Sequence, residues 1–297
     1  MVPVAFFVYN RPQHTQRALD ALKLNNIPLL YVFSDGPKTA ADIPKVEEIR
    51  NIIDRIDWVE KKVIKEETNK GLANSIAAGV SRVIDEHNEI IVLEDDCVPA
   101  EDFYSYMCQC LEYYKNEESV YCISAFLNPI KNRAFRGYDY DVFFWGRFWS
   151  WGWATWRRAW KMYKHDVNVL ADEAAAKKIN LDRFGSDILP TIQRNRDKLA
   201  DCWAINWFLV MVLNNAVSVF PVRSRVQNIG FDGTGVHCGV SVKYQTHISD
   251  ASAVPLKFPP QVKEDRRIAR VMLNFINRPT LREVLRKAIM YPLKLLR

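Results

Sequence analysis

The chain has 297 residues, of which 48% are hydrophobic and 26% are charged, the balance of a globular protein with a sizeable core. This composition argues against disorder, collagen-like repeats and a small disulfide scaffold, and the six cysteines lack the paired CxxC spacing of a structural zinc site. The net charge of +6 comes from the C-terminus, because residues 261–297 carry ten Lys/Arg against three Asp/Glu. The rest of the chain is nearly neutral, which argues against a nucleic-acid-binding core.

Apolar strands alternate with amphipathic helices in the first part of the chain. Strands are predicted at 2–10, 28–36, 58–67, 89–99 and 119–126, with helices at 14–24, 41–56, 71–84 and 102–115 between them. This order predicts an α/β fold, with a Rossmann-like, mostly parallel sheet covered by helices on both faces.

The middle of the chain has a different character. Residues 138–160 hold eleven aromatic side chains and show no helical or strand period. Helical sequence follows at 172–196 and 203–213, then a strand at 217–222 and a Gly-rich loop at 228–239. We predict that 1–126 and 127–248 are two halves of one domain, and that 249–297 is a linker followed by a basic helical tail.

Three consecutive acids, Glu94, Asp95 and Asp96, follow the buried run of the fourth predicted strand. Ligands of such sheets bind beyond the carboxyl ends of the strands. Like charges grouped there are costly unless a cation is present, and Mg²⁺ or Mn²⁺ is typically held by one or two carboxylates plus phosphate oxygens. The acids therefore predict a metal–diphosphate site, and the alternative is a solvated turn.

Four motifs in order carry a resemblance to a known superfamily: VAFFVYNRP at the first strand, Ser-Asp-Gly at 34–36, Asn-Lys-Gly-Leu at 69–72 and IVLEDD at 91–96. Together they resemble the nucleotide-sugar half of a GT-A fold glycosyltransferase. They are particularly similar to bacterial family-2-like enzymes and to the N-acetylglucosaminyltransferase I group, whose metal motif also reads Glu-Asp-Asp. The similarity continues more weakly through WSWGWATW, DCWAINW and NIGFDGTGVH, which implies a C-terminal acceptor-side region.

The resemblance implies roles for individual residues. Those implied to border or contact the donor nucleotide or its sugar are Asn10, Arg11, Asp35, Asn69, Lys70, Gly71, Glu94 and Asp95. Asp96 matches the metal ligand, although the motif departs from Asp-x-Asp and leaves open which acid touches the ion. His237 matches a second metal or phosphate contact that several GT-A enzymes carry on a C-terminal loop, and its alternative is a structural or surface role.

Glycosyl transfer also needs a base for the acceptor hydroxyl. Asp201 precedes a predicted helix, where family-2-like enzymes place their catalytic acid, and its alternative role is that of a helix N-cap. Asp232 in the Gly-rich loop is the second candidate for the base. The aromatic residues Trp149, Trp151, Trp153 and Trp156 are expected to divide between core packing and a platform for sugar stacking. Cys97 is expected to be a buried structural residue.

We expect a metal-dependent, inverting glycosyltransferase that uses Mn²⁺ or Mg²⁺, with a nucleotide-sugar donor, UDP-linked by default. The acceptor would be a glycan or a lipid-linked glycan in bacterial surface polysaccharide synthesis. A sugar nucleotidyltransferase is the first alternative, but that class needs a Gly-rich loop after the first strand and residues 9–15 contain no Gly. A non-catalytic carbohydrate-binding protein is the second alternative, and it leaves the acids unexplained.

Three features of the sequence bear on the location of the protein in the cell. The N-terminus lacks the features of a signal peptide, and the longest apolar stretch, 204–213, is too short to span a bilayer. Residues 278–297 form a basic amphipathic pattern, which predicts binding to an anionic membrane surface. The alternatives are a helix packed on the domain or a contact in a homo-oligomer. We expect a cytoplasmic protein that binds peripherally to the inner face of the membrane.

Overall fold

The computed structural model describes residues 1–234, 240–248 and 255–278, and the structural statements below concern these residues. The strands are β1 (Val4–Val8), β2 (Leu29–Ser34), β3 (Glu60–Lys65), β4 (Glu89–Glu94), β5 (Cys97–Pro99), β6 (Val120–Ser124), β7 (Val142–Trp145), β8 (Trp153–Trp156), β9 (Val217–Pro221) and β10 (Val226–Asn228). The helices are α1 (Pro12–Lys23), α2 (Ile43–Asp54), α3 (Leu72–His87), α4 (Phe103–Tyr114), α5 (Arg157–Trp160), α6 (Val167–Ala176), α7 (Ile188–Arg196), α8 (Trp203–Leu213) and α9 (Arg266–Asn277).

Eight strands form one sheet in the order β3-β2-β1-β4-β8-β6-β9-β7, and β5 pairs with β10 in a separate two-stranded sheet. Neighbours from β3 to β4 are parallel, as are β6 and β9, whereas β8 and β7 run antiparallel to their neighbours. The strands β1, β2 and β4 are apolar runs, and β3 at the edge of the sheet mixes charged and apolar residues. Helices join these four strands, which is the sequence pattern of a parallel sheet. The predicted α/β class with a mostly parallel, helix-covered sheet is confirmed.

The helices cover the sheet in two layers. Residues of α1, α2 and α4, such as Leu22, Ile49 and Met107, pack with one face of the sheet. Residues of α3, α6 and α8 pack with the other face. The α9 helix adds a third cluster, in which Ile268, Met272 and Ile276 contact residues of β7 and β9. The segment 255–278, which the sequence assigns to a linker and tail, therefore packs on the domain.

The two edges of the sheet have different surroundings. The outer strand β3 has the sequence EKKVIK, and its charged side chains are largely exposed. The other outer strand, β7, is fully buried. Residues 257–264 lie along its outer side, where the backbone N–H of Asp141 donates to the carbonyl of Lys257 over 2.8 Å and Phe144 pairs with Glu264.

The aromatic block contains secondary structure that the sequence pattern does not predict. Two strands, β7 and β8, lie within residues 138–160, although no strand period is visible there. Both strands are buried along their whole length, so apolar side chains occupy both faces and no alternation with polar residues remains. Among the described residues, no helix combines the length and hydropathy needed to cross a bilayer. The predicted membrane-binding helix and its residues 279–297 lie outside the described part of the chain.

Candidate functional site

Arg11 and two acids meet where the strand order reverses. The strand β1 lies between β2 and β4, so the chain runs to one side of β1 and later returns on its other side. Ligands of open α/β sheets bind in the crevice at such a point. The Arg11 guanidinium, just beyond β1, contacts Asp95 Oδ1 through Nη2, and its Nη1 lies 3.1 Å from Asp96 Oδ2. The acids predicted at this edge are therefore present there, with a cation between them.

One guanidinium faces three carboxylates at this edge. Burial by itself would lower the pKa of Arg11, but the attraction of Asp95 and Asp96 outweighs it and raises that pKa. Burial, together with the charges of Asp96 and Asp95, raises the pKa of Glu94 to about 8. Asp95 and Asp96 outnumber the one guanidinium between them, so an additional cation would be favourable here.

The backbone at Gly230 covers this ion pair. The strand β10 pairs antiparallel with β5, so residues after β10 run back over the acids, and the N–H of Ile229 donates to the carbonyl of Asp96 over 2.8 Å. A Cβ atom at position 230 would lie 2.2 Å from Asp96 Oδ2 and 3.1 Å from Arg11 Nη1. Only glycine allows the backbone this close to the carboxylate.

Replacing Gly230 with Ala is therefore expected to lower the free energy of unfolding by about 1–3 kcal/mol, the usual cost of overpacking. Denaturant titration of the variant measures this loss. Combining Gly230→Ala with Asp96→Ala should remove most of the cost, because the carboxylate that the new methyl group meets is gone. Additive losses in the double variant would show that the contact with Asp96 is not the cause.

Asp35 holds the loop that begins α3. Its Oδ1 accepts hydrogen bonds from the N–H groups of Gly36 and Lys70, both over 2.8 Å, and its Oδ2 accepts from Asn69 Nδ2 and the Gly71 N–H over 3.0 and 3.1 Å. These four donors use all the acceptor sites of a carboxylate. A direct bond from Asp35 to a ligand would require the exchange of one of them.

The remaining residues predicted on the nucleotide side lie around this loop. A cleft of about 240 Å³ opens beside it, lined in part by Asp35, Lys70 and Arg82. Lys70 is exposed, with Nζ 3.8 Å from Glu66 Oε2. Asn10 instead donates to Asp42 Oδ1 over 2.7 Å, at the start of α2. The first two strand–helix loops are tied together by this bond.

Asp201 lies beside the same loop. It is exposed just before α8, and its Oδ2 lies 3.5 Å from the position that a Cβ atom would take at Gly71. Within the described residues its side chain makes no hydrogen bond or ion pair. The N-cap position of α8 is occupied by Cys202, without a side-chain hydrogen bond. Among the described residues Asp201 is thus a carboxylate without a bonded partner, and it does not cap the helix.

Asp232, in contrast to Asp201, has side-chain partners in the described part of the chain. Its Oδ1 accepts from the N–H and hydroxyl of Thr234 over 2.9 and 2.7 Å, and its Oδ2 lies 3.1 Å from His14 Nε2. The bonds from Thr234 are the main cause of a lowered pKa for Asp232. These contacts fit a residue that shapes the loop. His237, predicted as a metal or phosphate contact, lies outside the described residues.

The four tryptophans of the aromatic block differ in burial, and the predicted role in sugar stacking stays a prediction. Trp153 and Trp156 are buried in β8, with exposures of 0% and 3%. Trp149 and Trp151 are half-buried and stack with ring centroids 5.1 Å apart. Phe231, next to Gly230, packs against Trp151 at 5.3 Å. An aromatic surface therefore continues directly from the backbone that covers Asp96. Cys97 is fully buried, as expected, and burial raises the pKa of its thiol.

The donor set of these acids fits a divalent cation that a ligand completes. The described residues contain no group of three or more His, Cys, Asp or Glu side chains placed to hold a metal ion by themselves. A Mg²⁺ site needs fewer protein ligands, because water and phosphate oxygens complete the coordination that one or two carboxylates begin. Asp96 is more accessible than its neighbour Asp95, with 13% of its side chain exposed against 4%.

Two features of this site escape the sequence analysis. The first is the pairing of Arg11 with the acids, and the second is His14, which lies one helical turn further along α1 and contacts Asp232. The available signal was spacing on α1, because residues three positions apart share a helix face. Arg11 and His14 therefore point toward the same crevice.

Neither a protein-family model nor a curated protein sequence matches the chain. Among solved structures, it is similar to a mannosyltransferase from Pyrobaculum calidifontis in complex with GDP-Man and Mn²⁺, at 15% identity and a TM-score of 0.38. That match covers 52% of this chain and 44% of the mannosyltransferase, so less than half of the latter is spanned. It is also similar to mouse xyloside xylosyltransferase 1 in its apo form, at 14% identity and a TM-score of 0.37, over 74% of this chain and 84% of the other.

Proposed function

We propose that this protein is an inverting glycosyltransferase that moves a sugar from a nucleoside diphosphate to a hydroxyl group of an acceptor. One observation supports this most. The acids after β4, the Asp35-held loop before α3 and the free carboxylate of Asp201 lie at one edge of the sheet, around the point where the strand order reverses. Such an edge offers a cation site, a nucleotide site and a base next to each other.

The residues divide the work as follows. The loop of Asn69, Lys70 and Gly71 binds the nucleotide, and Asp35 holds that loop in shape. Asp96 would hold the divalent cation, next to Glu94 and Asp95, and such a cation would neutralise charge on the departing diphosphate. Arg11 offsets part of the negative charge of the acids when they are without a ligand.

Asp201 acts as the general base. It takes the proton of the acceptor hydroxyl while that oxygen forms its bond to the anomeric carbon of the donor sugar. The bond from that carbon to the diphosphate oxygen breaks in the same step. The nucleoside diphosphate departs from the face opposite to the new bond, which inverts the configuration. One base and no enzyme nucleophile are required, and Asp201 is a carboxylate without a competing partner in the described structure.

We also propose UDP as the donor nucleotide, a hexose or N-acetylhexosamine as the sugar, and a glycan or lipid-linked glycan of a bacterial surface polysaccharide as the acceptor. The half-buried Trp151, which packs on Phe231 next to Gly230, supports an acceptor saccharide, because sugars pack on aromatic faces. A cytoplasmic site of action would give access to nucleotide sugars.

Thermal unfolding with a panel of nucleotide sugars, each with and without Mn²⁺, tests the proposal. A true donor binds only the folded state, so at one hundred times its Kd it should stabilise the protein by about 2.7 kcal/mol. Mn²⁺ should increase this stabilisation in the wild type and not in Asp96→Asn.

Two results would contradict the proposal. Stabilisation by oligosaccharides and by no nucleotide sugar would indicate a carbohydrate-binding protein. Release of inorganic diphosphate from a nucleoside triphosphate and a sugar phosphate would indicate a nucleotidyltransferase.

A further inference from the structure

A second cleft, of about 830 Å³, lies away from the acids. It is bounded by α9, by the short 3-10 helix Asn132–Phe135 and by residues 241–243. Its described lining contains no Asp or Glu and six basic residues, namely Lys131, Arg133, Arg136, Lys243, Arg267 and Arg278. In a chain that is nearly neutral before residue 261, this is a local concentration of positive charge.

Three of these six charges have no partner among the described residues. The side chains of Lys131, Arg133 and Arg136 are exposed and make no ion pair or hydrogen bond there. Arg267 lies 3.9 Å from Asp265 and donates to the Arg136 carbonyl over 2.9 Å. Lys243 donates to the carbonyls of Ile276 and Arg278, both over 2.9 Å, at the end of α9. An anionic ligand would therefore be attracted to the rim formed by residues 131–136.

The floor of the cleft is apolar. Ile130, Val271 and Phe275 line it and are half-buried, so each keeps part of its hydrocarbon surface accessible. A site of this size that joins apolar lining with a few charged groups suits a small amphiphile. We propose that this cleft binds an anionic lipid, with the phosphate at the basic rim and the hydrocarbon on the apolar floor.

Other occupants fit the cleft less well. A second copy of the chain seated symmetrically here would bring six cations against six like charges. The C-terminal residues 279–297 carry five Arg/Lys and one Glu, so they too are repelled by the rim. A nucleic acid needs a stripe of cations that follows successive phosphates, and it has no use for an apolar floor.

Binding of short-chain lipids by the full chain tests the proposal without donor or acceptor, so its outcome is independent of the proposed sugar transfer. Dihexanoyl phosphatidylglycerol is expected to raise the unfolding temperature. Dihexanoyl phosphatidylcholine, which lacks the net charge, and glycerol 3-phosphate, which lacks the hydrocarbon, should leave it unchanged. An equal effect of glycerol 3-phosphate would overturn the proposal in favour of a simple anion site.

The decisive variant is Lys131→Gln/Arg133→Gln/Arg136→Gln. Each basic side chain near an anionic lipid surface contributes about fivefold, so the variant should partition onto phosphatidylglycerol-containing vesicles about a hundredfold more weakly than the wild type. The matched control is Arg17→Gln/Lys23→Gln/Lys45→Gln, which removes the same charge from exposed residues of the first two helices. It should bind like the wild type.

Both triple variants retain the basic C-terminus. A difference in vesicle binding between them can therefore be assigned to the cleft. Circular dichroism of both verifies that the exposed substitutions leave the fold intact. If the cleft variant pellets with vesicles as the control does, the cleft is not the lipid site. Binding of a single-stranded oligonucleotide that the cleft variant loses, with no response to phosphatidylglycerol in the wild type, would also overturn the proposal.

Discussion

Replacing Asp201 with Asn is expected to slow sugar transfer by about 10² to 10⁴, the usual contribution of a positioned base. Asn keeps the size of the side chain but cannot accept the hydroxyl proton. The residue is exposed and has no partner among the described residues, so the fold should not change. Turnover at saturating donor measures the loss, and stabilisation by the donor alone should equal that of the wild type.

Asp232→Asn is the matched control for that experiment. It removes a carboxylate from the same side of the molecule, but one already bonded to Thr234 and His14. A modest effect is expected, from weaker order in the loop. If Asp232→Asn abolishes sugar transfer and Asp201→Asn does not, Asp232 is the general base. If Asp201→Asn weakens donor binding and leaves the rate unchanged, Asp201 belongs to the nucleotide site.

Replacing Asp96 with Asn or Ala is expected to abolish metal-dependent transfer and to leave the protein folded. The Asp96 carboxylate is more exposed than that of Asp95, and Arg11 keeps its contact with Asp95 after the change. Transfer rates across a Mn²⁺ titration, with circular dichroism of each variant, measure both expectations.

Glu101→Gln provides the control for Asp96, because it removes an exposed acid only five residues further along the chain. Its Mn²⁺ dependence should match that of the wild type. Full turnover in Asp96→Asn with an unchanged Mn²⁺ requirement would exclude Asp96 from the cation site.

The parallel half of the sheet can be predicted from the sequence, because each of its strands and helices has a recognisable local hydrophobic pattern. The strand β4 is a buried apolar run that ends abruptly in acids, and α3 shows apolar residues at helical spacing such as Ile76, Val80 and Ile84. Parallel strands joined through helices bring their carboxyl ends to one edge, so residues after β1, β2 and β4 could be assigned to a common site.

The contacts between distant segments could not be predicted in the same way. Arg11 and Asp95 are 84 positions apart, and their pairing depends on β1 and β4 being neighbours. In the sequence, the excess of positive charge lies at the C-terminus. In the structure, the basic cleft also includes residues 131–136, which lie next to residues of α9. Only the packing of α9 on the sheet brings these two sets together.

The two edges of the eight-stranded sheet bear on how this protein behaves in a crowded solution. An exposed strand edge is a template for pairing with other chains, and charged residues such as those of β3 are a usual protection. The strand β7, with the sequence VFFW, has no charge to protect it and depends on the cover of residues 257–264. Proteolysis before residue 255 would remove that cover together with α9. The shortened chain would then expose an apolar edge prone to aggregation, so the C-terminal segment protects solubility as well as structure.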